Sequence, residues 1–206
     1  NNVDGAQMTL AVPAYLHERG IQSFADLDEH RDEFNGQIHG FGAGSAASEI
    51  LHNAMDNDTW GLGDWSLVDT SEVGMLSAAQ DAISREEAIV WVGWTPHWMN
   101  LELPMRYLED PENLFGENNG ESDVRTLLRS GYADAHPALV TFFEQFSFTA
   151  DEQSWMIQAF GQEERDLAEV AQQWIHDHPE RVEAMLADVT TTEGDAAWPV
   201  IEARLP

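Results

Sequence analysis

The stretch Ala88–Asp110, AIVWVGWTPHWMNLELPMRYLED, contains the clearest strand signal of the chain and its most distinctive motif. Its early residues Ile89-Val90-Trp91-Val92 are apolar and β-prone, which is typical of a strand buried on both faces. The motif Gly93-Trp94-Thr95-Pro96-His97-Trp98 follows at once. We predict a strand over Ala88–Gly93 and a rigid aromatic turn beyond it, at the edge where open α/β sheets bind their ligands.

Upstream of this stretch, strand and helix patterns alternate. Strands are predicted at Met8–Val12, Gln37–Phe41 and Ser66–Asp69, helices at Ser45–Met55 and Ser71–Arg85, and short helical segments within Phe24–Phe34, where Ser23 and Asp26 form a helix-start pattern. Such alternation indicates a parallel sheet built from right-handed β-α-β units. The predicted fold class is therefore α/β, with a sheet flanked by helices.

Downstream, the polar segment Asp110–Ser122 is rich in Gly and Asn and predicts a loop at a domain boundary. Helical patterns then follow one another at Asp123–Ser130, Pro137–Phe146, Asp151–Phe160, Glu164–His176, Pro179–Val189 and Ala196–Leu205. We predict an α/β domain over residues 8–116 and an all-helical segment over residues 117–206.

The helical segment carries large apolar side chains at helix-like spacing. They are Trp155, Phe160, Trp174, Leu186 and Trp198. Such residues normally form a core. Any that stay exposed predict association with a second copy of the chain.

Composition excludes several classes of protein. The chain has 9 Lys+Arg, all of them arginine, against 38 Asp+Glu, for a formal net charge of −29. This charge repels nucleic acid, so we predict no nucleic-acid partner. A hydrophobic content of 43% excludes a disordered acidic tail. The charge instead predicts adaptation to molar salt, which screens self-repulsion within a few ångströms.

The absence of cysteine excludes disulfides and thiol chemistry. No signal-peptide pattern or membrane-spanning apolar run is visible in the sequence.

The motif GWTPHWM, followed by Tyr107-Leu108-Glu109-Asp110-Pro111, resembles the glycine betaine/choline-type substrate-binding proteins of ABC transporters. Asp64–Ile83 resembles a strand and helix of that family, and Gly40-Phe41-Gly42-Ala43-Gly44 its glycine-rich turn. These matches cover about Met8–Gly116. The resemblance implies the second lobe of a periplasmic-binding-protein-like fold with its C-terminal helices, and it implies that the sequence lacks the first lobe.

The same resemblance implies a function. The chain would bind glycine betaine or a related quaternary ammonium osmoprotectant outside the cytoplasm and deliver it to the membrane permease of an ABC importer. It would do so by lobe closure, without catalysis and without a cofactor.

Trp94 is the first candidate ligand-binding residue. A quaternary ammonium group has no N–H to donate in a hydrogen bond and is held by aromatic faces, a contact of about 2 kcal/mol when desolvated. The resemblance places Trp94 in the aromatic cage of the family. For Trp91 and Trp98 we predict packing in the core. His97 is a further candidate, although its position directly after Pro96 favours a hydrogen bond that fixes the turn.

Gly40 and Phe41 are the candidates for the other end of the ligand. Backbone amides at a strand-to-helix turn, at the N-terminus of a helix, form an anion site. The resemblance implies that the amides of Gly40 and Phe41 bind the carboxylate of a betaine.

Two other interpretations remain open. Residues Gly42–Ala47 match the pattern G-x-G-x-x-A, and Asp69 ends the next strand, as in a dinucleotide-binding enzyme. The chain is alternatively a degenerate lobe that acts only through protein–protein contacts.

No metal site is predicted. Asp56–Gly61 resembles the start of an EF-hand loop, but Trp60 and Leu67 occupy ligand positions. His176-Asp177-His178 is more typical of a helix end than of a metal site.

The acidic composition predicts that salt stabilises the chain. We expect the thermal midpoint of unfolding to rise between about 0.1 M and about 2 M sodium chloride, because added ions screen the repulsion among the carboxylates. Circular dichroism measures this midpoint, and sucrose at matched osmolality is the control. A midpoint that is independent of salt would contradict the adaptation to molar salt.

Overall fold

Strand β1 (Val3–Pro13) contributes to both of the units into which the chain divides. In this computed structural model, which describes residues 1–204, one unit consists of Gln7–Ser122 and is called the sheet unit. The other consists of Asn1–Ala6 and the chain from Asp123 onward, and is called the helical unit.

The sheet unit contains the elements that the sequence places before and within the quoted stretch. After β1 these are α1 (Ala14–Glu18), α2 (Phe24–Leu27), β2 (Gln37–Phe41), α3 (Ala46–Asp56), β3 (Ser66–Thr70), α4 (Glu72–Arg85), β4 (Trp91–Thr95), α5 (Met99–Glu102), β5 (Met105–Tyr107) and α6 (Glu117–Gly120). Short 3₁₀ turns occur at Asp28–His30 and Thr59–Asp64.

The strands of this unit form a sheet in the order β3-β2-β4-β1-β5, which confirms the α/β class. Strand β2 is parallel to β3 and to β4, as the alternating pattern predicts. Strand β1, however, is antiparallel to β4 and β5, so the sheet is mixed and not wholly parallel. The alternation predicts direction where a long helix joins two strands, as α3 and α4 do. Only the short helices α1 and α2 follow β1, so its direction is set by pairing with β4.

Strand β4 begins and ends later than predicted. Pairing with β1 runs from Trp91 to Thr95, so Trp94 lies inside the strand. Ile89 and Val90 are buried but precede the strand. The apolar run therefore predicts which residues are buried better than it predicts where the strand begins.

Serine caps fix the starts of three helices. Ser23 and Asp26 form the capping box of α2 that the sequence predicts. Ser45 Oγ accepts the Ser48 N–H at α3, and Ser71 Oγ accepts the Gly74 N–H at α4. These caps place the first turns of α3 and α4 beside the carboxyl ends of β2 and β3.

The helical unit is less uniformly helical than predicted. Its elements are β6 (Glu121–Val124), α7 (Tyr132–Ala135), α8 (Pro137–Gln145), β7 (Phe148–Thr149), α9 (Ala150–Gly161), α10 (Leu167–Asp177), α11 (Pro179–Met185) and α12 (Ala197–Glu202). The predicted end of the last helix, Leu205, lies outside the described residues. The helix predicted at Asp123–Ser130 is wrong. There the Asn2 N–H donates to Val124 O, and Asn2 Oδ1 accepts the Thr126 N–H, which holds the segment extended.

The helical unit has a hydrophobic core of its own. Its buried members are Trp174, Val182, Met185, Leu186, Val189 and Ala197. Of the predicted core residues, Trp155 and Trp198 are partly buried against this cluster. Phe160 is 51% exposed and does not belong to it, because it lies on the outer face of α9. No helix among the described residues is long and apolar enough to cross a membrane.

Two positions on α4 test the assignment of its buried face. Met75 is fully buried and Val73 is 74% exposed, two residues away on the same helix. We expect Met75→Ala to lower the free energy of unfolding by about 2–5 kcal/mol, because it leaves a cavity in the core. The control Val73→Ala should change it by less than about 0.5 kcal/mol. Urea denaturation measures both, and equal losses would contradict the assignment.

Candidate functional site

Two aromatic side chains meet where β2 and β4 end. The rings of Phe41 and Trp94 lie 4.6 Å apart between centroids, at an interplanar angle of 43°. The imidazole of His97 lies 4.7 Å from the Trp94 ring. Phe41 and Trp94 are both only partly buried. Three of the residues predicted from the sequence are thus adjacent. Phe41 and Trp94 form an accessible aromatic surface that we call the aromatic face, and the buried His97 packs against Trp94.

The backbone around Trp94 is held by two polar side chains. Asn100 Nδ2 donates to Trp94 O at 2.8 Å and to His97 O at 3.0 Å. The Tyr107 hydroxyl donates to Asn100 Oδ1 at 2.7 Å. Burial raises the pKa of Tyr107, although the bond to Asn100 opposes the shift, so the hydroxyl remains a donor at neutral pH. A Cβ at Gly93 would lie 2.9 Å from the Tyr107 ring, so this approach requires glycine.

His97 supports the aromatic face from behind. The side chain is buried, Nδ1 accepts the Met99 N–H at 3.3 Å, and Nε2 lies 3.2 Å from Glu72 Oε1. Because Nδ1 accepts, Nε2 carries the proton and donates to Glu72. Burial lowers the pKa of His97, and the hydrogen bond and charge of Glu72 oppose that shift. The ring is therefore neutral near pH 7, and both of its nitrogens contact other groups of the chain.

The glycine-rich turn begins directly after Phe41. The Gly42 N–H donates to Thr70 O, and the Ser45 N–H donates to Gly42 O, each at 2.8 Å. Ser45 Oγ also donates to Phe41 O at 3.1 Å. Gly42 and Gly44 have φ values of 68° and 84°, which glycine adopts without strain. The turn is therefore fixed by its own hydrogen bonds before any ligand arrives.

The amides of Gly40 and Phe41 face different strands. The His39 N–H donates to Val90 O beside β4, whereas the Gly42 N–H donates to Thr70 O beside β3. Because successive amides of a strand point to opposite sides, the Gly40 N–H points towards β3 and the Phe41 N–H towards β4. The pairing of β2 with β4 is at His39 and Trp91, so Phe41 lies beyond it. Of the two amides, that of Phe41 is directed towards the strand that carries Trp94.

An aspartate lies beneath the same turn. Asp69 pairs with Gly40, and a Cβ at Gly40 would lie 3.0 Å from Asp69 Oδ1. Asp69 Oδ2 accepts a hydrogen bond from the Ser48 hydroxyl at 2.5 Å. Asp69 Oδ1 is buried and has no hydrogen-bond partner among the described residues. In a dinucleotide fold this acidic residue would bind a ribose, but here it is bound to Ser48 of α3.

Sequence reasoning missed several residues that shape the site. They are Ser48, Glu72, Asn100 and Tyr107. Asn100 and Tyr107 belong to the quoted stretch, so their proximity to Trp94 was a usable signal. Glu72 lies 25 residues before His97 and gives no local signal. Trp91 and Trp98 are buried, which confirms their prediction as core residues.

Comparison with known protein families gives a clear match. Residues 1–177 match the model of the family described as the substrate-binding domain of ABC-type glycine betaine transport systems, OpuAC. The glycine betaine/carnitine transport binding protein GbuC of Listeria monocytogenes is 29% identical over 176 residues. That alignment covers 84% of this chain and 57% of GbuC, so the chain spans little more than half the length of this relative.

Solved structures give a consistent result. An ABC-transporter choline-binding protein in complex with choline is 30% identical, with a TM-score of 0.86, over 100% of this chain and 71% of that one. Lactococcal OpuAC, in its closed form with glycine betaine, is 27% identical, with a TM-score of 0.77, over 89% of this chain and 68% of that one. The two structures hold ligands that share a trimethylammonium group.

The environment of His97 predicts its titration. We expect NMR to place the pKa of the His97 imidazole below its ordinary value of 6.5, because burial penalises the charged ring. Glu72→Gln removes the charge that opposes burial, so the pKa should fall further. Glu29→Gln, at an exposed position on a 3₁₀ turn, is the control.

The sign of the stability effect follows. Because the folded pKa is lower than the unfolded one, the unfolded chain binds the proton first as pH falls below about 6.5, and stability decreases until the folded pKa is passed. His39, whose pKa is also lowered by burial, acts in the same direction. A His97 pKa above 6.5 would contradict the burial of the neutral ring.

Proposed function

We propose a function from one premise: this chain belongs to the family of substrate-binding domains of ABC-type glycine betaine transport systems. The function is the binding of glycine betaine or a related quaternary ammonium solute and its delivery to the membrane permease of an ABC importer. The single observation that supports it most is the aromatic face formed by Phe41 and Trp94, which His97 supports from behind.

The chemistry of the solute explains the aromatic face. A quaternary ammonium carries a positive charge but no N–H, so it interacts with the negative faces of aromatic rings. We propose that the ammonium group lies against Trp94 and Phe41, with His97 behind Trp94. The polar end of the solute then points to the glycine turn, where the amide of Phe41 is the proposed contact, because that of Gly40 points into the pairing of β2 with β3. Binding involves no covalent chemistry.

The domain organisation remains a proposal as well. Residues 8–116 form the solute-binding lobe, and residues 117–206 the C-terminal segment that accompanies it. This lobe is the second of two lobes that close on the solute. The proposed place of action is extracytoplasmic, at the periplasmic or cell-surface side, where the permease receives the solute.

The alternatives carry less support. A nucleotide-dependent enzyme would need Asp69 to face its cofactor, whereas its Oδ2 accepts from Ser48 and its Oδ1 is buried. The family is one of substrate-binding domains, which is a different class of protein. Contact with a second copy would use exposed apolar side chains of the helical unit. These include Leu127, Leu139, Phe160 and Leu167.

Replacing Trp94 tests the proposed function. We expect calorimetry in molar salt to show saturable binding of glycine betaine or choline to the wild-type chain. Trp94→Ala should weaken this binding roughly thirtyfold, because a desolvated cation–π contact is worth about 2 kcal/mol. Trp94→Phe should retain part of the affinity.

The matched control is Trp60→Ala. The glycine turn lies before the start of α3, and Trp60 lies just after its end. The length of α3, about 16 Å, therefore separates Trp60 from the glycine turn. The control should bind as the wild type does. Equal losses in both variants, or binding of NAD with no binding of either solute, would contradict the proposal.

A further inference from the structure

Two carboxylates flank the elements of the proposed site. Asp69 lies beneath the glycine turn, and Glu72 starts α4 and contacts His97 behind Trp94. In the part of the chain that the structure describes, the only basic side chain within ion-pair distance of Glu72 is that of His97, whose ring is neutral near pH 7. Within residues 1–204 no arginine forms an ion pair with either carboxylate. The negative charge on this side of the site is therefore not balanced by a neighbouring cation.

Asp69 has the more restricted position of the two. Its carboxylate is fixed on one side by the Ser48 hydroxyl at 2.5 Å and lies on the other 3.0 Å from the Cβ position of Gly40. Ser48 is buried, and its Oγ lies 3.3 Å from Ser45 Oγ and 3.4 Å from Gly42 O. A hydroxyl has one proton, so Ser48 satisfies one oxygen of the carboxylate only. Asp69 Oδ1 is left without a donor among the described residues.

This placement changes what the glycine turn offers a ligand. Amides at the N-terminus of a helix such as α3 attract an anion. Here the carboxylate of Asp69 already lies against that helix terminus, through Ser48 in its first turn. A second carboxylate, brought to the Phe41 amide by a betaine, would meet a like charge within a site partly shielded from water. A hydroxyl brings no such charge.

Resting on the proposed function, we infer that Asp69 is a specificity-determining residue that makes this lobe favour a cationic quaternary ammonium alcohol, of the choline type, over a quaternary ammonium carboxylate, of the betaine type. Asp69 attracts the net positive charge of the alcohol and repels the carboxylate of the betaine. The aromatic face serves both solutes equally, since both carry the trimethylammonium group.

Parallel calorimetric titrations of choline and glycine betaine test the inference. We expect the wild-type chain to bind choline at least about tenfold more tightly than glycine betaine, because Asp69 lies on β3 and the Phe41 amide on the neighbouring strand β2, so that like charges there repel across a partly buried site. Asp69→Asn keeps the shape and the acceptor for Ser48 but removes the charge. It should narrow the difference to less than about threefold, mainly by improving the binding of glycine betaine.

Two further variants separate charge from structure. Ser48→Ala removes the hydrogen bond to Asp69 but leaves its charge, so the preference for choline should persist. Asp56→Asn makes the same change in charge at the exposed far end of α3 and should leave the preference unchanged. Circular dichroism confirms that each variant is folded.

The outcomes distinguish the inference from the proposed function. Tighter binding of glycine betaine by the wild type, or an unchanged preference in Asp69→Asn, overturns the role of Asp69 and leaves the proposed function standing. If Asp56→Asn narrows the preference for choline as much as Asp69→Asn does, the role of Asp69 is also overturned, since the net charge of the chain would then explain the preference. Failure of the wild type to bind either solute overturns the proposed function, and this inference with it.

Discussion

A backbone hydrogen bond from the His39 N–H to Val90 O fixes strand β2 beside strand β4. Because the two strands run in the same direction, their carboxyl ends lie together, and Phe41 at the end of one reaches Trp94 near the end of the other. The bond also sets which way the amide of Phe41 points. The aromatic face and the polar contacts near it therefore depend on a pairing in which neither aromatic ring takes part.

Two layers of side chains then hold the aromatic face in place. Asn100 and Tyr107 fix the backbone of Trp94 from one side, and His97 contacts the indole ring while Glu72 holds the imidazole. These groups are held in place by contacts within the chain, so binding of the proposed solute need not order them. Such preorganisation reduces the entropy that binding would otherwise cost.

Local signals explain what the sequence predicts well. Strand β2 has the predicted bounds, and α3 and α4 begin at the serine caps, because these features depend on residues a few positions apart. The motif around Trp94 lies at the end of a strand, as predicted, for the same reason. The direction of β1, the extended segment at Asp123–Ser130 and the contact of Glu72 with His97 depend on partners distant in the sequence. The spacing of apolar residues along the chain does not encode such partners. The ligand contacts of Gly40, Phe41, Trp94 and His97 remain predictions.

The anchoring of Asn2 has a consequence for the order in which the chain folds during synthesis. Asn2 Nδ2 donates to Phe146 O, a partner 144 residues later, and Val3 pairs with Phe148. The partners of Asn2 and Val3 are therefore made after strands β1 to β5, which are complete once Tyr107 is made. At about 5–20 residues per second, that interval lasts several seconds. The sheet unit thus has time to fold before Asn2 and Val3 meet their partners.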